Sequence, residues 1–400
     1  MVEYSTPEPW QAVDENGLVF DQGSLIAVFY DLLDPRHARG KRYSLATLLT
    51  LVFLAKLSGM DTPSAIADWC RAHADELVAL LHLSYPGMPG HCTFRRLFAD
   101  VIDEERFEQR MRAYTAQQRK GSPESRLRVI DGKKERGTIP PGEPQGEATM
   151  AVYDPEREEV IAQMAIDPQE GEIPTAQKLL AQVELNGMIV LADALHTQRK
   201  LCRQIGQAGG AYVLIVKENQ PKLFQDIEML FTLPQPHPYL LDYQTVHKTN
   251  KGHGRIEERT LTAVSLLPGE IDWPYLTQVF RLDNTFSFLR KGQVVRTEHK
   301  VRFGLTSLSR SQAHAPRLLA LKRKYWQIET GLHFRRDVTF HEDATRMSHP
   351  HATRNLTTVH NTILSLFARL GCDNAAQTRR RLGADLRLAF SLLISAHPRL

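Results

Sequence analysis

The chain has 400 residues, of which 42% are hydrophobic and 24% are charged, and its formal net charge is +4. This composition excludes a disordered, collagen-like or disulfide-scaffold protein, and the length predicts two or three folding units. The small excess of basic residues permits a nucleic-acid partner but does not predict one. The four cysteines form no paired motif, which indicates free thiols in a reducing compartment. The N-terminus resembles no secretory leader, and the most apolar stretch, residues 45–60, is short for a bilayer span. We therefore expect a cytoplasmic protein with no membrane partner.

The first 120 residues are predicted to form a helical domain. Ser44 is a suitable N-cap for an apolar helix that Gly59 ends, and a second helix is expected to start at Thr62. Residues 92–117 place apolar side chains at a helical period, and no strand pattern is visible before them. The basic cluster at residues 36–42 is interpreted either as a DNA contact or as a solvated group of charges.

The pattern changes after the polar segment 117–126. Strands are predicted at 127–130, 148–153, 160–166, 188–192 and 211–216. Because helical segments at 176–185 and 197–208 alternate with them, the pattern predicts an α/β sheet with parallel members.

Helical periodicity fades in the next part of the chain and returns after it. Further strands are predicted at 260–264, 278–282 and 294–297, and helices at 312–335 and 355–370. The predicted units are a helical domain (1–120), an α/β core in two parts (121–233 and 305–370), a β-rich insertion (234–304) and an arginine-rich tail (371–400).

Three acidic residues lie where a metal site could form. Asp131 and Asp193 each follow an apolar run, and strand ends are where ligands gather in open α/β sheets. Glu329 lies on a predicted helix whose apolar stripe can pack against the sheet. Three such carboxylates suit two-metal phosphoryl transfer, in which one ion activates the attacking oxygen and the other stabilises the leaving oxygen. The alternative is that the aspartates are turn or capping residues and that Glu329 pairs with a neighbouring base on its helix.

Several strings then identify a family when taken together. In chain order they are HCTFRRLF, VIDGKKERGT, LADALHTQRK, YVLIVKENQPKL, KGHGRIEERT and YWQIETGLHFRRDVTFHEDATR. With DPRHARGKRYSLATLLTLVFLAKLSG before them, they cover most of residues 30–370. The chain resembles the ISAs1-type (H-repeat-associated) branch of the IS4-like DDE transposases.

The resemblance implies an RNase H-like catalytic core with a β-rich insertion before the glutamate helix. It implies that Asp131, Asp193 and Glu329 are the catalytic, metal-binding acids, with Mg²⁺ as the cofactor and Mn²⁺ as its substitute. It also implies DNA contacts around the acids, by Lys133, His196, Lys217, Asn219, Gln220, His253, Arg255, Arg323, Trp326, His333 and Arg336.

Some positions depart from the family pattern. Tyr325 occupies the place of an arginine four residues before the glutamate, and Arg323 is expected to substitute for it. Arg336 fits the basic position seven residues after Glu329, and Glu135 stands where an apolar residue is common. These changes leave the three acids in place but alter the expected phosphate contacts.

The sequence thus predicts a bacterial DNA transposase, associated with the nucleoid when bound to DNA. It would cleave and join double-stranded DNA at the terminal inverted repeats of its element and at the target, as a homodimer in the synaptic complex. The alternatives are a catalytically silent or domesticated DNA-binding derivative and another RNase H-like nuclease.

Two further groups of residues carry weaker predictions. The histidines between 341 and 360 are interpreted as part of a basic loop rather than as a zinc site, with Glu342 and Asp343 structural or near the active site. The aromatic residues Trp273, Tyr275, Phe286 and Phe288 of the insertion are interpreted as buried packing, with stacking on a flipped base as the alternative.

Overall fold

The computed structural model describes residues 8, 10–119, 125–139, 142, 146–232, 242–252, 254–344, 347 and 349–400. Its N-terminal part is mainly helical. The helices are α1 (Leu25–Tyr30), α2 (Leu45–Leu57), α3 (Pro63–Ala72), α4 (Ala74–Leu80), α5 (His91–Arg96) and α6 (Glu104–Gln117).

Local capping explains where these helices begin and end. The Ser44 hydroxyl accepts a hydrogen bond from the Thr47 amide at 3.0 Å, and Gly59 has a positive φ beyond the end of α2, as predicted. Residues 92–117 are helical as predicted, but in two parts: a π-helical turn at Leu97–Val101 ends the first, and Asp103 caps α6. The prediction of no strands is wrong, because β1 (Gln11–Val13) pairs antiparallel with β2 (Val19–Asp21).

One nine-stranded sheet lies at the centre of the described structure. Its first five strands are β3 (Leu127–Lys134), β4 (Ala148–Asp154), β5 (Glu159–Ala165), β6 (Ile189–Ala192) and β7 (Ala211–Val216). Their order in the sheet is β5-β4-β3-β6-β7. Strand β4 is antiparallel to both of its neighbours, β3 and β5, whereas β6 and β7 run parallel to β3. This arrangement is the RNase H-like core, so the predicted fold class is confirmed.

The strands of the predicted insertion extend the same sheet. They are β8 (Asp242–Gly252), β9 (Arg255–Ser265), β10 (Gln278–Arg290) and β11 (Gln293–Thr306). The sheet continues from β7 in the order β11-β10-β9-β8, and Phe303 to Thr306 of β11 pair with Val216 to Val213 of β7. Residue 304, the predicted end of the insertion, therefore lies inside a strand that is bonded to the core.

Helices cover both faces of the sheet. On one face lie α7 (Glu172–Leu180), α8 (Arg199–Gln207) and α9 (Pro221–Thr232), which pack on apolar side chains such as Ile130 and Val190. On the other face lie α10 (Ala315–Gln327) and α11 (Pro350–Arg369), together with the N-terminal helices. The long helix predicted over 312–335 is α-helical only to Gln327 and continues as π-helical segments at Ile328–His333 and Arg335–Thr339.

The arginine-rich tail forms two more helices, α12 (Ala375–Ala384) and α13 (Leu386–Ile394). Both contact α2, and α13 also contacts α1, so the chain ends against its own N-terminal domain. Among the helices that the structure describes, none is long and apolar enough to cross a membrane.

Candidate functional site

The two predicted aspartates lie at the same level on neighbouring strands. Strands β3 and β6 are parallel and pair Val129 with Leu191, and Asp131 and Asp193 each lie two residues further along. The sequence suggested that Asp131 follows a strand, but β3 continues to Lys134, so Asp131 lies within it. Asp193 directly follows β6, and its side chain also accepts a hydrogen bond from the Leu195 amide at 2.9 Å. The turn role that was the alternative for Asp193 is therefore present in the structure.

Glu329 reaches these aspartates from the helical layer. It is the second residue of the π-helical segment that continues α10. The buried side chains of Tyr325, Ile328 and Leu332 fix this segment against the sheet. Gly331 permits a close approach, because an added Cβ there would lie 2.7 Å from the Tyr153 hydroxyl oxygen of β4. Local π-helical geometry is frequent at functional sites because it changes the direction of side chains along a helix.

Asp131 lies close enough to Asp193 and to Glu329 to interact with both. The Asp131 and Glu329 carboxyl groups lie within hydrogen-bonding reach of each other. Burial, and then the charge of Asp193, raise the pKa of Asp131 from 3.8 to about 6. Burial and Asp131 raise the pKa of Glu329 as well. Raised carboxyl pKa values of this kind are expected where like charges lie close together in a site that is partly shielded from water.

A fourth acid, Glu172, lies beside them and was not predicted. It is the first residue of α7, and an added Cβ on Gly132 would lie 2.9 Å from its Oε2 atom. Gly132 therefore leaves space for this carboxylate next to Asp131. Burial, followed by the charges of Asp131 and Asp193, raises the pKa of Glu172. No motif marks Glu172 in the sequence, because only the folded chain brings α7 to β3.

The donor set suits a hard divalent cation. Carboxylate oxygens are the ligands that Mg²⁺ and Mn²⁺ prefer, and a cation would relieve the repulsion that raises these pKa values. In the described part of the chain, no group of three His, Cys, Asp or Glu side chains has the arrangement of a metal site.

Two buried histidines border the acids. His333 Nε2 lies 3.4 Å from Asp131 Oδ2. The negative charges of Asp193 and Asp131 act on the imidazole ring of His196. Burial, and then the nearby Arg336, lower the pKa of His333 to about 4, and burial lowers that of His196. Both rings are therefore neutral at pH 7. They are also almost fully buried, so this geometry gives neither a direct contact with DNA.

The predicted DNA contacts after β7 lie near Asp193 as expected. Lys217 is exposed and directly follows the strand. The Asn219 and Gln220 amides donate hydrogen bonds to the carbonyls of Ala194 and Thr197 at 2.8 and 3.0 Å. These two side chains therefore tie the loop after β7 to the loop after Asp193.

Two of the predicted DNA contacts lie inside the protein. Lys133 is 7% exposed and Arg336 is 1% exposed, and both are surrounded by carboxylates. Their prediction as phosphate contacts is not supported by this geometry, because charge pairs with buried carboxylates hold both side chains away from the surface.

A basic groove with aromatic walls runs beside Glu329, between the strands of the insertion and α10. Its volume is about 820 Å³. Its basic lining side chains are Arg255, Arg259, Lys300, Arg302, Lys322, Arg323 and Lys324, and its acidic ones are Glu257 and Glu298. The predicted contacts Arg255, Arg323 and Trp326 all line it, and Trp326 is 54% exposed. His253, another predicted contact, lies outside the described residues.

Aromatic side chains of the insertion complete this groove. Phe286 and Phe288 line it, with Arg255 5.6 Å from the Phe286 ring and Arg296 5.4 Å from the Phe288 ring. The predicted buried packing is confirmed for Trp273 and wrong for Tyr275, which is 51% exposed. Phe286 and Phe288 are half-buried, and their rings line the groove.

Two protein families and several known proteins match this chain. Residues 122–366 match the family described as "Transposase DDE domain", and residues 26–115 match that described as "DDE_Tnp_1-associated". An uncharacterized protein of Xanthobacter autotrophicus, from the region 3′ of dhlA, is 31% identical over 64% of this chain and 87% of its own length. The H repeat-associated candidate transposase YhhI of Escherichia coli (strain K12) is 26% identical over 78% of this chain and 81% of its own length.

A solved structure is a more distant match. It is described as a piggyBac transposase synaptic complex with hairpin DNA, and the match covers 92% of this chain and 77% of that one. The TM-score is 0.41 at 11% identity.

Proposed function

The chain belongs to the DDE-domain transposase family, in its H-repeat-associated branch, and from this we propose that it cleaves and joins DNA at the ends of an insertion sequence. The observation that carries the proposal is the convergence of Asp131, Asp193 and Glu329. Two parallel strands and one helix bring together three carboxylates that are separated by up to about two hundred residues.

The three acids are proposed to hold divalent ions, Mg²⁺ or its substitute Mn²⁺. When bound, such ions activate the attacking oxygen and stabilise the leaving oxygen of a phosphodiester. The chain itself contributes a partly buried group of carboxylates, in which burial and the charge of Asp193 raise the pKa of Asp131. Tyr325 closes one side, since its side chain lies within hydrogen-bonding reach of Asp131.

We propose that the DNA strand next to the scissile bond lies in the basic groove. Its cationic side chains outnumber its acidic ones, which suits a phosphate backbone. Trp326 lies one helical turn before Glu329, so a base stacked on it would be close to the acids. Arg255 and Arg323 are the DNA contacts that this placement favours.

A second DNA contact is proposed on the N-terminal domain. Arg36, Arg39, Lys41 and Arg42 border one cavity of about 480 Å³. Asp34 pairs with Arg36 and Lys41, and Arg42 lies 4.9 Å from the Tyr85 ring. This cluster is positioned to bind the duplex of a terminal inverted repeat. Because two ends must meet for transposition, we propose a homodimer in the synaptic complex.

Cleavage of an end-bearing plasmid tests the proposal. Purified protein is incubated with supercoiled DNA that carries the ends of its element, with Mg²⁺, Mn²⁺ or EDTA, beside Asp193→Asn and Glu329→Gln. Metal-dependent cutting at the ends that both variants lose would support the assignment, whereas equal cutting by the variants would refute it. End binding without cutting by any form indicates the silent derivative, and cutting without strand transfer indicates a nuclease.

A further inference from the structure

Below the acids lies a second group of charges that is completely internal. Lys133, Glu135, Arg336 and Glu342 have exposures of 7%, 2%, 1% and 4%. We call these four residues the buried ion cluster. Two cations face two anions, so the cluster is neutral as a unit.

The cluster joins the strand of Asp131 to the segment of Glu329. Lys133 lies two residues after Asp131 on β3, so both side chains leave the strand on the same face, and Glu135 directly follows the strand. Arg336 lies in the π-helical segment that follows that of Glu329. Arg336 bonds to Glu135, and Lys133 Nζ lies 2.8 Å from Asp337 Oδ1 of that same segment.

The Arg336 guanidinium donates its hydrogen bonds to internal groups. Arg336 Nε donates to Glu342 Oε2 at 2.6 Å, and Nη2 donates to Thr357 Oγ1 at 3.0 Å as well as to Glu135. Lys133 Nζ lies 2.6 Å from Glu135 Oε2. Moving Arg336 to a phosphate would leave two buried carboxylates without their main partner, which is strongly unfavourable.

The helical layer behind the sheet holds the cluster from the other side. Glu342 Oε1 lies 2.9 Å from His360 Nδ1 and accepts a hydrogen bond from Thr357 at 3.1 Å. Both partners belong to α11, which also packs against the N-terminal helix α6. These contacts hold the 335–339 segment between two rigid elements, β3 and α11.

From this geometry we propose that the buried ion cluster positions the carboxylates of Asp131 and Glu329 for metal binding, and that Arg336 does not contact DNA. The acids repel one another, so an attractive contact beside them is needed to hold strand and helix together before a cation arrives. The cluster supplies that contact through Lys133, two residues along β3 from Asp131. Arg336, Lys133 and Glu135 are positioning residues, since they act through the acids. The inference rests on the proposed function, because it concerns the use of the same acids.

The test combines four measurements on Glu135→Gln and on the double variant Glu135→Gln/Arg336→Gln, which removes one charge of each sign. Arg335→Gln is the control, because this neighbouring residue pairs with Glu158 near the surface. Calorimetry measures Mn²⁺ affinity, and anisotropy in EDTA at several salt concentrations measures affinity for DNA ends. Hydrogen exchange in the absence of metal measures how well the amides of residues 328–339 are protected. Single-turnover cleavage gives the rate at saturating metal.

We expect Mn²⁺ affinity to fall about tenfold or more in both cluster variants and amide exchange of 328–339 to quicken, with no change in the control. Affinity for DNA and its dependence on salt should stay within about twofold of the unmodified protein. Unchanged Mn²⁺ affinity and exchange would overturn the positioning role. If the double variant alone lost DNA affinity, with a salt slope smaller by about one, Arg336 would be a phosphate contact after all.

The same design separates this inference from the proposed function. If the unmodified protein binds Mn²⁺ but cuts no DNA, the transposase proposal fails and the positioning role is still tested by metal affinity. If it binds no Mn²⁺, amide exchange decides, because loosening confined to 127–134 and 328–339 supports the role and unchanged exchange refutes it. If the double variant does not fold, Glu135→Gln alone gives the answer, since Arg336 keeps its bonds to Glu342 and Thr357.

Discussion

Replacing Asp131 by Asn should make the metal-free protein more stable while it abolishes activity. Burial and the neighbouring Asp193 raise the pKa of Asp131 from 3.8 to about 6, so ionised Asp131 is a source of strain in the folded state. At about 1.4 kcal/mol per pH unit, that difference corresponds to about 3 kcal/mol. An amide of the same shape carries no charge and avoids this cost.

The pH dependence gives the prediction its sign. The folded chain retains the Asp131 proton between pH 3.8 and about 6, where the unfolded chain has lost it. Wild-type stability from this group is therefore greatest below that window, decreases through it, and stays low above it. The advantage of Asp131→Asn should be absent near pH 4 and full near pH 8.

Thermal unfolding in EDTA measures the effect. With an unfolding entropy of about 2.1 cal/mol/K per residue, a gain of about 3 kcal/mol in this 400-residue chain raises Tm by about 4 °C. Glu228→Gln, an exposed position on α9, is the control and should not shift Tm. Mg²⁺ should raise the Tm of the wild type more than that of Asp131→Asn. A variant that is less stable than wild type at pH 8 would show that Asp131 is not under electrostatic strain.

Three other substitutions test separate parts of the structure. Glu172→Gln should raise the Mg²⁺ concentration needed for half-maximal cleavage severalfold without abolishing cutting, and an unchanged requirement would remove Glu172 from the site. Trp326→Ala should weaken binding of DNA ends in EDTA by about 1–3 kcal/mol, measured by anisotropy, if a base stacks on this ring. Arg379→Ala should destabilise the chain by about 1–3 kcal/mol, because it removes hydrogen bonds to the carbonyls of Lys56 and Thr339 and the 2.6 Å contact with Asp61, which keeps His341 as a partner. Arg380→Ala, an exposed neighbour, is the control in the same unfolding experiment, and equal losses would contradict the structural role of the tail.

The core strands were predictable because each is a short apolar run with clear ends. The run at 211–216 predicted β7 correctly, and Ser44 marked the start of α2. Strand β8 was missed because its sequence, DYQTVHKTNKG, is polar and shows no apolar alternation. The three-residue strands β1 and β2 are too short to show any period.

Motifs mark the three acids in the sequence, whereas no local pattern marks their surroundings. Family strings mark Asp131, Asp193 and Glu329, but no local pattern marks Glu172 beside them. The pairing of Glu135 with Arg336 joins residues that are 201 positions apart. Such a contact depends on the relative placement of β3 and the π-helical segment, which propensity and periodicity do not encode. Arg336 was therefore predicted to contact phosphate, although the fold buries it.

The central claim is that the three acids work as one metal site that cuts DNA. The most direct test is single-turnover cleavage of an element end by Asp131→Asn, Glu329→Gln and the double variant, with DNA binding measured in parallel. Residues that act as a unit are strongly non-additive, so each single change should reduce the rate on the order of a thousandfold or more, and the double change should reduce it no further. The account would be contradicted if the rate reductions of the two single variants multiplied in the double variant, or if either single variant cut at the wild-type rate.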